Sequence, residues 1–190
     1  MNHKILIGII FSSHLMSLTP APLILTLKFN RSAFDVLDAL RKQYFPLARN
    51  FIPAHITLFH ALPGEQEPSI ITCLQSLCAD CPPLHLAFPK LRFLGRGVAL
   101  DVDSHELMLL RKRLATAWDA WLSAQDRHGY RPHITIQNKV APDEARDLYE
   151  RLGRQWKPIE ARGEALLLWR YLGGPWELKD EFPFGSSHDL

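Results

Sequence analysis

The sequence predicts an α+β protein with two pseudo-symmetric lobes, each an antiparallel-type sheet with flanking helices, and a cleft between the lobes. Three observations predict this architecture. Strand and helix patterns alternate along the 190 residues, which is typical of a mixed fold. The tripeptide His-Ile-Thr occurs at 55–57 and again at 133–135, and each copy is followed by a loop, a helix and strands. No flexible linker separates the halves, so we expect one domain over residues 16–190.

The first half of the chain alternates short strand and helix patterns. Residues 22–30 are apolar and β-compatible, and Asn30 or Ser32 offers the N-cap of an amphipathic helix. A loop with two prolines then leads to the first His-Ile-Thr segment, a strand of about five residues. The remaining predictions here are a helix over 33–45, a turn-rich loop over 61–68 and a helix over 69–80.

The second half repeats this alternation. Two strand patterns, 85–95 and 97–103, predict a hairpin around Gly95–Gly97. Ser104 is typical of the cap of a long helix over 104–125, and the second His-Ile-Thr strand follows a loop. The last elements predicted are a helix over 142–156, strands over 163–173 and 175–184, and a loose tail over 185–190.

The N-terminal residues 1–15 do not fit this domain. The apolar run from Ile5 to Phe11 is too short for a bilayer, which needs about 20 residues. A poor signal peptide is an alternative, but no clear small-x-small cleavage site follows. We interpret residues 1–15 as an extension or disordered tail, with Met16 as the start. We expect a cytoplasmic protein without a membrane partner.

Composition and charge limit the possible partners. Hydrophobic residues make up 47% and charged residues 22% of the chain, as in ordinary soluble proteins. The formal net charge of +2 is too small to hold long nucleic acid through phosphate contacts alone. A small phosphorylated ligand or the end of an RNA is compatible with this charge. We expect a monomer.

Three cysteines, Cys73, Cys78 and Cys81, lie close together. Their spacing matches part of an iron–sulfur pattern, but the chain has no fourth cysteine. Their segment has the pattern of an amphipathic helix, so we interpret them as small packing residues in a reducing compartment.

The two His-Ile-Thr segments are the candidate site. On a strand, side chains at i and i+2 share a face. His55 and Thr57 therefore face one way and Ile56 the other, and His133, Thr135 and Ile134 repeat the arrangement. If the lobes face each other, two imidazoles and two hydroxyls line one cleft.

That set of groups suits phosphodiester chemistry. A neutral histidine can accept a proton from an attacking water or hydroxyl, and a protonated one can donate to the leaving oxygen. Threonine hydroxyls can donate hydrogen bonds to the non-bridging phosphate oxygens. The scheme needs no metal and no cofactor, and we expect neither. The alternative is two ordinary strands whose His and Thr face a polar surface.

The paired segments His55–Leu58 and His133–Ile136 resemble the signature of the two-histidine (2H) phosphoesterase superfamily, a repeated His-x-Thr/Ser-x with apolar x. Within it, the sequence is most similar to the 2′-5′ RNA ligase family, which includes RNA 2′,3′-cyclic phosphodiesterases. Arg131-Pro132 resembles the usual lead-in to the second motif. The resemblance spans residues 22–184.

The resemblance implies a bilobal enzyme that opens 2′,3′-cyclic phosphates of RNA ends or nucleotides to 2′-phosphates. It implies that His55 is the general acid and His133 the general base, while Thr57 and Thr135 bind phosphate. The spacing itself does not assign the two histidine roles. Two alternatives remain: a 2′-5′ RNA ligase that joins tRNA halves, and a non-catalytic module that binds nucleotides or RNA ends.

Residues around the motifs are further candidates for substrate contacts. Phe51 or Tyr130 can stack a base, and Arg131 can add charge near the phosphate. The alternatives are core packing for the two aromatic residues and a solvated loop for the arginine. His60 lies five positions after His55, so on a continuous strand it faces the opposite side.

Overall fold

The computed structural model describes residues 20–185, in which two antiparallel sheets share one hydrophobic core with five helices. The fold is therefore α+β, as predicted. The interpretations of residues 1–15 and of the tail beyond 185 lie outside the described residues. The strands are β1 Leu23–Phe29, β2 Ile56–Leu62, β3 Leu84–Phe88, β4 Leu91–Phe93, β5 Val98–Asp101, β6 His133–Gln137, β7 Ile159–Tyr171 and β8 Trp176–Pro183. The helices are α1 Arg31–Tyr44, α2 Glu67–Ala79, α3 His105–Ala117, α4 Ala124–Arg127 and α5 Pro142–Gly153.

Both His-Ile-Thr strands are edge strands. The larger sheet has the order β2-β1-β7-β3, with β8 also paired to β7, and the smaller sheet has the order β4-β5-β6. Strand β2 therefore ends one sheet and β6 ends the other, and Cα atoms of the two strands approach within 8 Å. The sheet order thus places the two copies of the tripeptide side by side at the junction of the lobes.

The prediction of one strand over 85–95 is wrong, because the structure divides it between the two sheets. Strand β3 pairs with β7, whereas β4 pairs with β5. The break falls at Pro89, which has no N–H to donate to a ladder. The predicted hairpin is confirmed as β4–β5, and its turn contains Gly95 at a φ of +79°, a value that suits glycine.

The predicted long helix is shorter than expected. Ser104 caps it as predicted, with its hydroxyl accepting a 3.2 Å hydrogen bond from the Leu107 N–H. Helix α3 then ends at Ala117, and a 3₁₀ turn precedes α4. Trp118 lies at that end, 2% exposed and edge-on to Phe59 at 5.1 Å between ring centroids. The chain thus leaves the helix at the point where this indole is buried in the core.

The two lobes do not coincide with the two halves of the sequence. Helix α1, from the first half, contacts β6 of the smaller sheet, while α3, from the second half, contacts β3 of the larger one. The last two strands return to the larger sheet. Since each lobe depends on elements from both halves, neither half can bury its apolar surface alone. No helix within residues 20–185 is long and apolar enough to cross a bilayer.

Candidate active site

The burial pattern of both motifs follows the two-residue period of a strand. Ile56 and Leu58 are fully buried, and so are Ile134 and Ile136. The polar members between them, two histidines and two threonines, are half-buried. Each motif thus anchors its strand in the core with aliphatic side chains and presents an imidazole and a hydroxyl on the opposite face, as the period predicts.

The two histidines make the same local hydrogen bond. Nδ1 of His55 lies 2.7 Å from the Pro53 carbonyl oxygen, and Nδ1 of His133 lies 2.9 Å from the Arg131 carbonyl oxygen. A carbonyl oxygen only accepts, so Nδ1 carries the proton in both rings. The lone pair of each neutral ring is therefore on Nε2, and both imidazoles are held in the tautomer that uses Nε2 as a base.

The environment of His55 disfavours its charged form. Burial lowers the pKa of His55 to about 4, although its hydrogen bond with the Pro53 carbonyl acts in the opposite direction. The positive charges of Arg41, His133 and His60 lower it further. The effect of His133 shows that the two motif imidazoles lie within electrostatic reach of each other. At neutral pH the ligand-free ring is neutral.

His133 has a similar environment with one acidic neighbour. Burial lowers its pKa, the bond to the Arg131 carbonyl opposes this change, and Arg92 and His60 add to the decrease. The carboxylate of Asp101 raises the pKa, because β5 places Asp101 directly opposite His133. Asp101 also forms a salt bridge with Arg92. This carboxylate is distant from the motif in sequence, and only the strand pairing reveals it.

Two buried arginines hold the motif strands by their free edges. The guanidinium of Arg41, on α1, donates a 2.7 Å hydrogen bond to the Thr135 carbonyl in β6. The guanidinium of Arg111, on α3, donates a 2.7 Å hydrogen bond to the Leu58 carbonyl in β2. Each arginine comes from one half of the chain and bonds to the motif of the other. An edge strand has unpaired carbonyls, and these side chains satisfy one on each motif strand.

A cavity of about 530 Å³ opens beside His55. Trp176 lies on its wall, with its ring centroid 5.0 Å from that of His55. The ring centroid of Trp169 lies 6.1 Å from that of Trp176, and the Trp169 indole N–H donates to the hydroxyl of Thr26 at 2.8 Å. Charged side chains also line the cavity: Lys28, Arg31, Glu164 and Glu181. An aromatic wall with polar groups around it suits a flat, hydrogen-bonding ligand.

The three peripheral candidates differ in placement. Phe51 is 67% exposed, in the loop before the first motif, and does not line the cavity beside His55. Tyr130 packs against the core, with the Arg111 guanidinium 5.2 Å from its ring centroid. The Arg131 side chain is exposed, and its carbonyl orients His133. Tyr130 therefore packs as the alternative to a substrate contact predicts. Contacts of Phe51, Tyr130 and Arg131 with substrate stay predictions.

The expected orientation of His60 is wrong, because β2 is not a continuous regular strand. Thr57 lies opposite Thr26 of β1, whereas Phe59 lies opposite the adjacent Leu25. One extra residue in β2 therefore forms a bulge, which reverses the alternation beyond it. His60 consequently lies on the same face as Thr57.

The cysteines lie in and beside the core. Cys78 is buried, and burial raises the pKa of its thiol to about 12. Cys73 and Cys81 are half-buried and pack against the core, with thiol pKa values also raised by burial. Thiols in this state are poor nucleophiles and poor ligands. Within residues 20–185 there is no group of three or more His, Cys, Asp or Glu arranged to hold a metal ion.

Comparison with known families gives a match over most of the chain. Residues 29–175 match the family model described as the 2′-5′ RNA ligase superfamily. A protein of Bacillus pumilus (strain SAFR-032) named "Putative phosphoesterase" is 24% identical over 162 residues, which cover 80% of this chain and 91% of that protein.

Solved structures share the fold. TT0787 of Thermus thermophilus superposes with a TM-score of 0.64 at 16% identity, covering 88% of this chain and 100% of that one. LigT of E. coli, crystallised with 3′-AMP, superposes with a TM-score of 0.59 at 14% identity, covering 88% of this chain and 99% of that one. At these identities the similarity establishes the two-lobed architecture.

Proposed function

The chain belongs to the 2′-5′ RNA ligase superfamily of 2H phosphoesterases, and on this premise we propose that it is a metal-independent phosphodiesterase. Its substrates are 2′,3′-cyclic phosphates of RNA ends or nucleotides, which it opens to 2′-phosphates. The observation that carries this proposal is the matched pair of imidazoles, His55 and His133, each with Nδ1 held by a carbonyl two residues earlier.

In the proposed reaction, water attacks phosphorus and the bond from phosphorus to O3′ breaks. His133 Nε2 accepts the proton of the water, and His55 Nε2 donates a proton to O3′, so the product carries a 2′-phosphate and a free 3′-hydroxyl. The hydroxyls of Thr57 and Thr135 donate to the non-bridging oxygens, where negative charge grows in the transition state. All of these groups belong to the protein.

The lowered pKa values determine when the general acid, His55, becomes protonated. Both imidazoles are neutral at pH 7 in the free protein, since burial lowers both pKa values. The general base is therefore ready, whereas the general acid must gain its proton when the negatively charged phosphate binds. An anion beside a desolvated imidazole favours the imidazolium form, so substrate binding itself prepares the acid.

The aromatic cavity supports a nucleotide substrate. Trp176 lies beside His55, with 5.0 Å between the two ring centroids. An indole stacks any base, because every base has a flat π face. The base of the terminal nucleotide would occupy this cavity while its cyclic phosphate lies between the two motifs.

Turnover of nucleoside 2′,3′-cyclic phosphates in the presence of EDTA tests the proposal. We expect conversion to the 2′-phosphate, separated by chromatography from the 3′-isomer. Conversion only after Mg²⁺ or Zn²⁺ is added would contradict the metal-independent mechanism. Broken tRNA halves should be included, since a new 2′-5′ junction without cyclic-phosphate hydrolysis would favour RNA joining. Binding of nucleotides without any product would identify a binding module.

A further inference from the structure

The bulge in β2 brings a third imidazole to the candidate site. Between Thr57 and Phe59 the strand advances two residues while β1 advances one. Leu58 and Phe59 are consequently both fully buried, although they are neighbours in a strand. His60 follows on the opposite face, which is the face of Thr57, and its side chain is 43% exposed. The charge of His60 also contributes to the lowered pKa values of both His55 and His133, which indicates that it lies near both.

A buried carboxylate binds both this imidazole and the backbone next to it, beyond the bulge. Asp126, whose side chain is 1% exposed, accepts from Nδ1 of His60 at 3.1 Å. It also accepts from the backbone N–H groups of His60 and Ala61, at 3.0 and 3.2 Å, and from the Ser123 hydroxyl at 2.9 Å. These two N–H groups lie just beyond the bulge, where the pairing of β2 with β1 shifts register a second time, between Phe59 and Leu62. Asp126 thus fixes the local backbone and the ring at once.

Asp126 is ionised in this environment. Burial by itself raises the pKa of its carboxyl, but the hydrogen bonds from His60, Ser123 and Ala61 outweigh burial and lower it to about 2. A carboxylate only accepts, so the proton of the His60 ring lies on Nδ1. Nε2 is then the nitrogen available on the exposed side of the ring. A carboxylate that fixes the tautomer of a histidine in this way is common where the other nitrogen has a task.

We propose that His60 is a third substrate-binding imidazole beside the two motif histidines, whose Nε2 contacts a phosphate oxygen of the substrate, and that Asp126 is its positioning residue. The identity of the ligand as a phosphate rests on the proposed function, while the position of the ring does not. Protonated His60 donates a charge-assisted hydrogen bond to the anion. His55 and His133 remain the proton-transfer pair.

A purely structural role for His60 makes a different prediction. Asp126 would keep its bonds to the two backbone N–H groups and to Ser123 without the imidazole. The local backbone at His60 and Ala61 therefore does not depend on the ring, and His60→Gln should fold normally. If the ring only filled space, its replacement would change neither anion affinity nor the titration of the other histidines.

Calorimetric titration with a nucleoside 2′-monophosphate compares the wild type with His60→Gln, Asp126→Asn and His85→Gln. We expect about tenfold weaker binding in His60→Gln, which is the loss of one charge-assisted hydrogen bond, and a smaller loss in Asp126→Asn. His85→Gln is the matched control, since Nε2 of His85 also lies 2.8 Å from a carboxylate, that of Glu160, but its side chain is exposed on β3. It should bind like the wild type.

Imidazole NMR titration supplies a readout that packing alone would not change. In His60→Gln the pKa values of both His55 and His133 should rise, because a positive charge that lowers them is gone. Unchanged affinity in a folded His60→Gln, an equal loss in His85→Gln, or no measurable binding by the wild type would each overturn the inference. If Asp126→Asn does not fold, the His60→Gln result decides. Wild-type binding that depends on His60, without turnover of cyclic phosphates, would refute the proposed function and leave this inference standing.

Discussion

The Arg41 guanidinium donates a 2.7 Å hydrogen bond to the backbone carbonyl of Thr135, 94 positions away in the sequence. The same guanidinium donates to the Asn50 side chain at 2.9 Å and to the Ile52 carbonyl at 3.1 Å, in the segment that leads to the first motif. One side chain, 4% exposed, therefore fixes the second motif relative to the approach to the first. Arg111 plays the corresponding role for the first motif, because its guanidinium donates to the Leu58 carbonyl.

Replacement of Arg41 by Met should destabilise the protein by about 2–4 kcal/mol, because it leaves the Thr135 and Ile52 carbonyls without their donor. Urea unfolding followed by tryptophan fluorescence measures the free energy of unfolding. Arg31→Met is the control, since Arg31 pairs with Asp35 on the exposed surface and its replacement should cost under about 0.5 kcal/mol. Equal stabilities of the two variants would contradict the role assigned to Arg41.

Replacement of Thr57 or Thr135 by Val should lower kcat about 10²–10³-fold, as loss of one donor to a developing oxyanion does. Valine keeps the shape, so the free energy of unfolding should change little. Thr72→Val is the matched control, because the Thr72 hydroxyl bonds to a backbone carbonyl on the exposed face of α2. Steady-state hydrolysis of a cyclic nucleotide measures the effect. A decrease in kcat of less than threefold in both motif variants would exclude phosphate binding by these hydroxyls.

The pH profile of kcat/KM should be a bell with its maximum below pH 6.5. The maximum lies midway between the pKa values of the essential acid and base in the free enzyme. Burial lowers both from the ordinary 6.5, that of His55 to about 4. As the pH rises through these pKa values the general acid loses its proton, and as the pH falls the general base gains one, so kcat/KM decreases on both sides. A maximum above pH 7.5 in a series of overlapping buffers would be inconsistent with these two groups.

Replacement of Trp176 by Ala should raise KM for a cyclic nucleotide about 10–100-fold, in line with the loss of one base stacked on an aromatic ring. Trp176→Phe keeps a flat surface and should recover most of the affinity. Tyr149→Ala is a control at a residue on α5 that is 36% exposed and outside the cavity. A KM that is the same in Trp176→Ala and the wild type would place the base elsewhere.

The sequence predicts the faces of the motif strands because one rule suffices. A strand period of two puts each His and Thr on one side and Ile or Leu on the other, and the buried Ile56 and Ile134 conform. The same rule fails at His60, because a bulge is a local change of register with no sequence marker in this segment. The break between β3 and β4 has a sequence marker, Pro89. A proline alone, however, does not reveal which sheet the strand before it and the strand after it each join.

The supporting residues arise from contacts between distant parts of the chain. Arg41 and Arg111 each lie on a helix that is otherwise amphipathic, and their bonds cross from one half of the chain to the other. Asp101 reaches His133 only through the pairing of β5 with β6. Periodicity and spacing describe neighbours along the chain, so these contacts become visible only when the strand order is known.

In the proposed mechanism His55 and His133 act as one unit on a single phosphorus atom, and a double-variant cycle of turnover measures whether they do. The rate of cyclic-phosphate opening is measured, with EDTA present, for His55→Ala, His133→Ala and the combined variant. Each single variant should lose at least about 10³-fold in kcat, and the combined variant should be little worse, because groups that act together are not additive. A single variant that retains more than a tenth of wild-type activity, or losses that multiply in the combined variant, would contradict a shared acid–base mechanism.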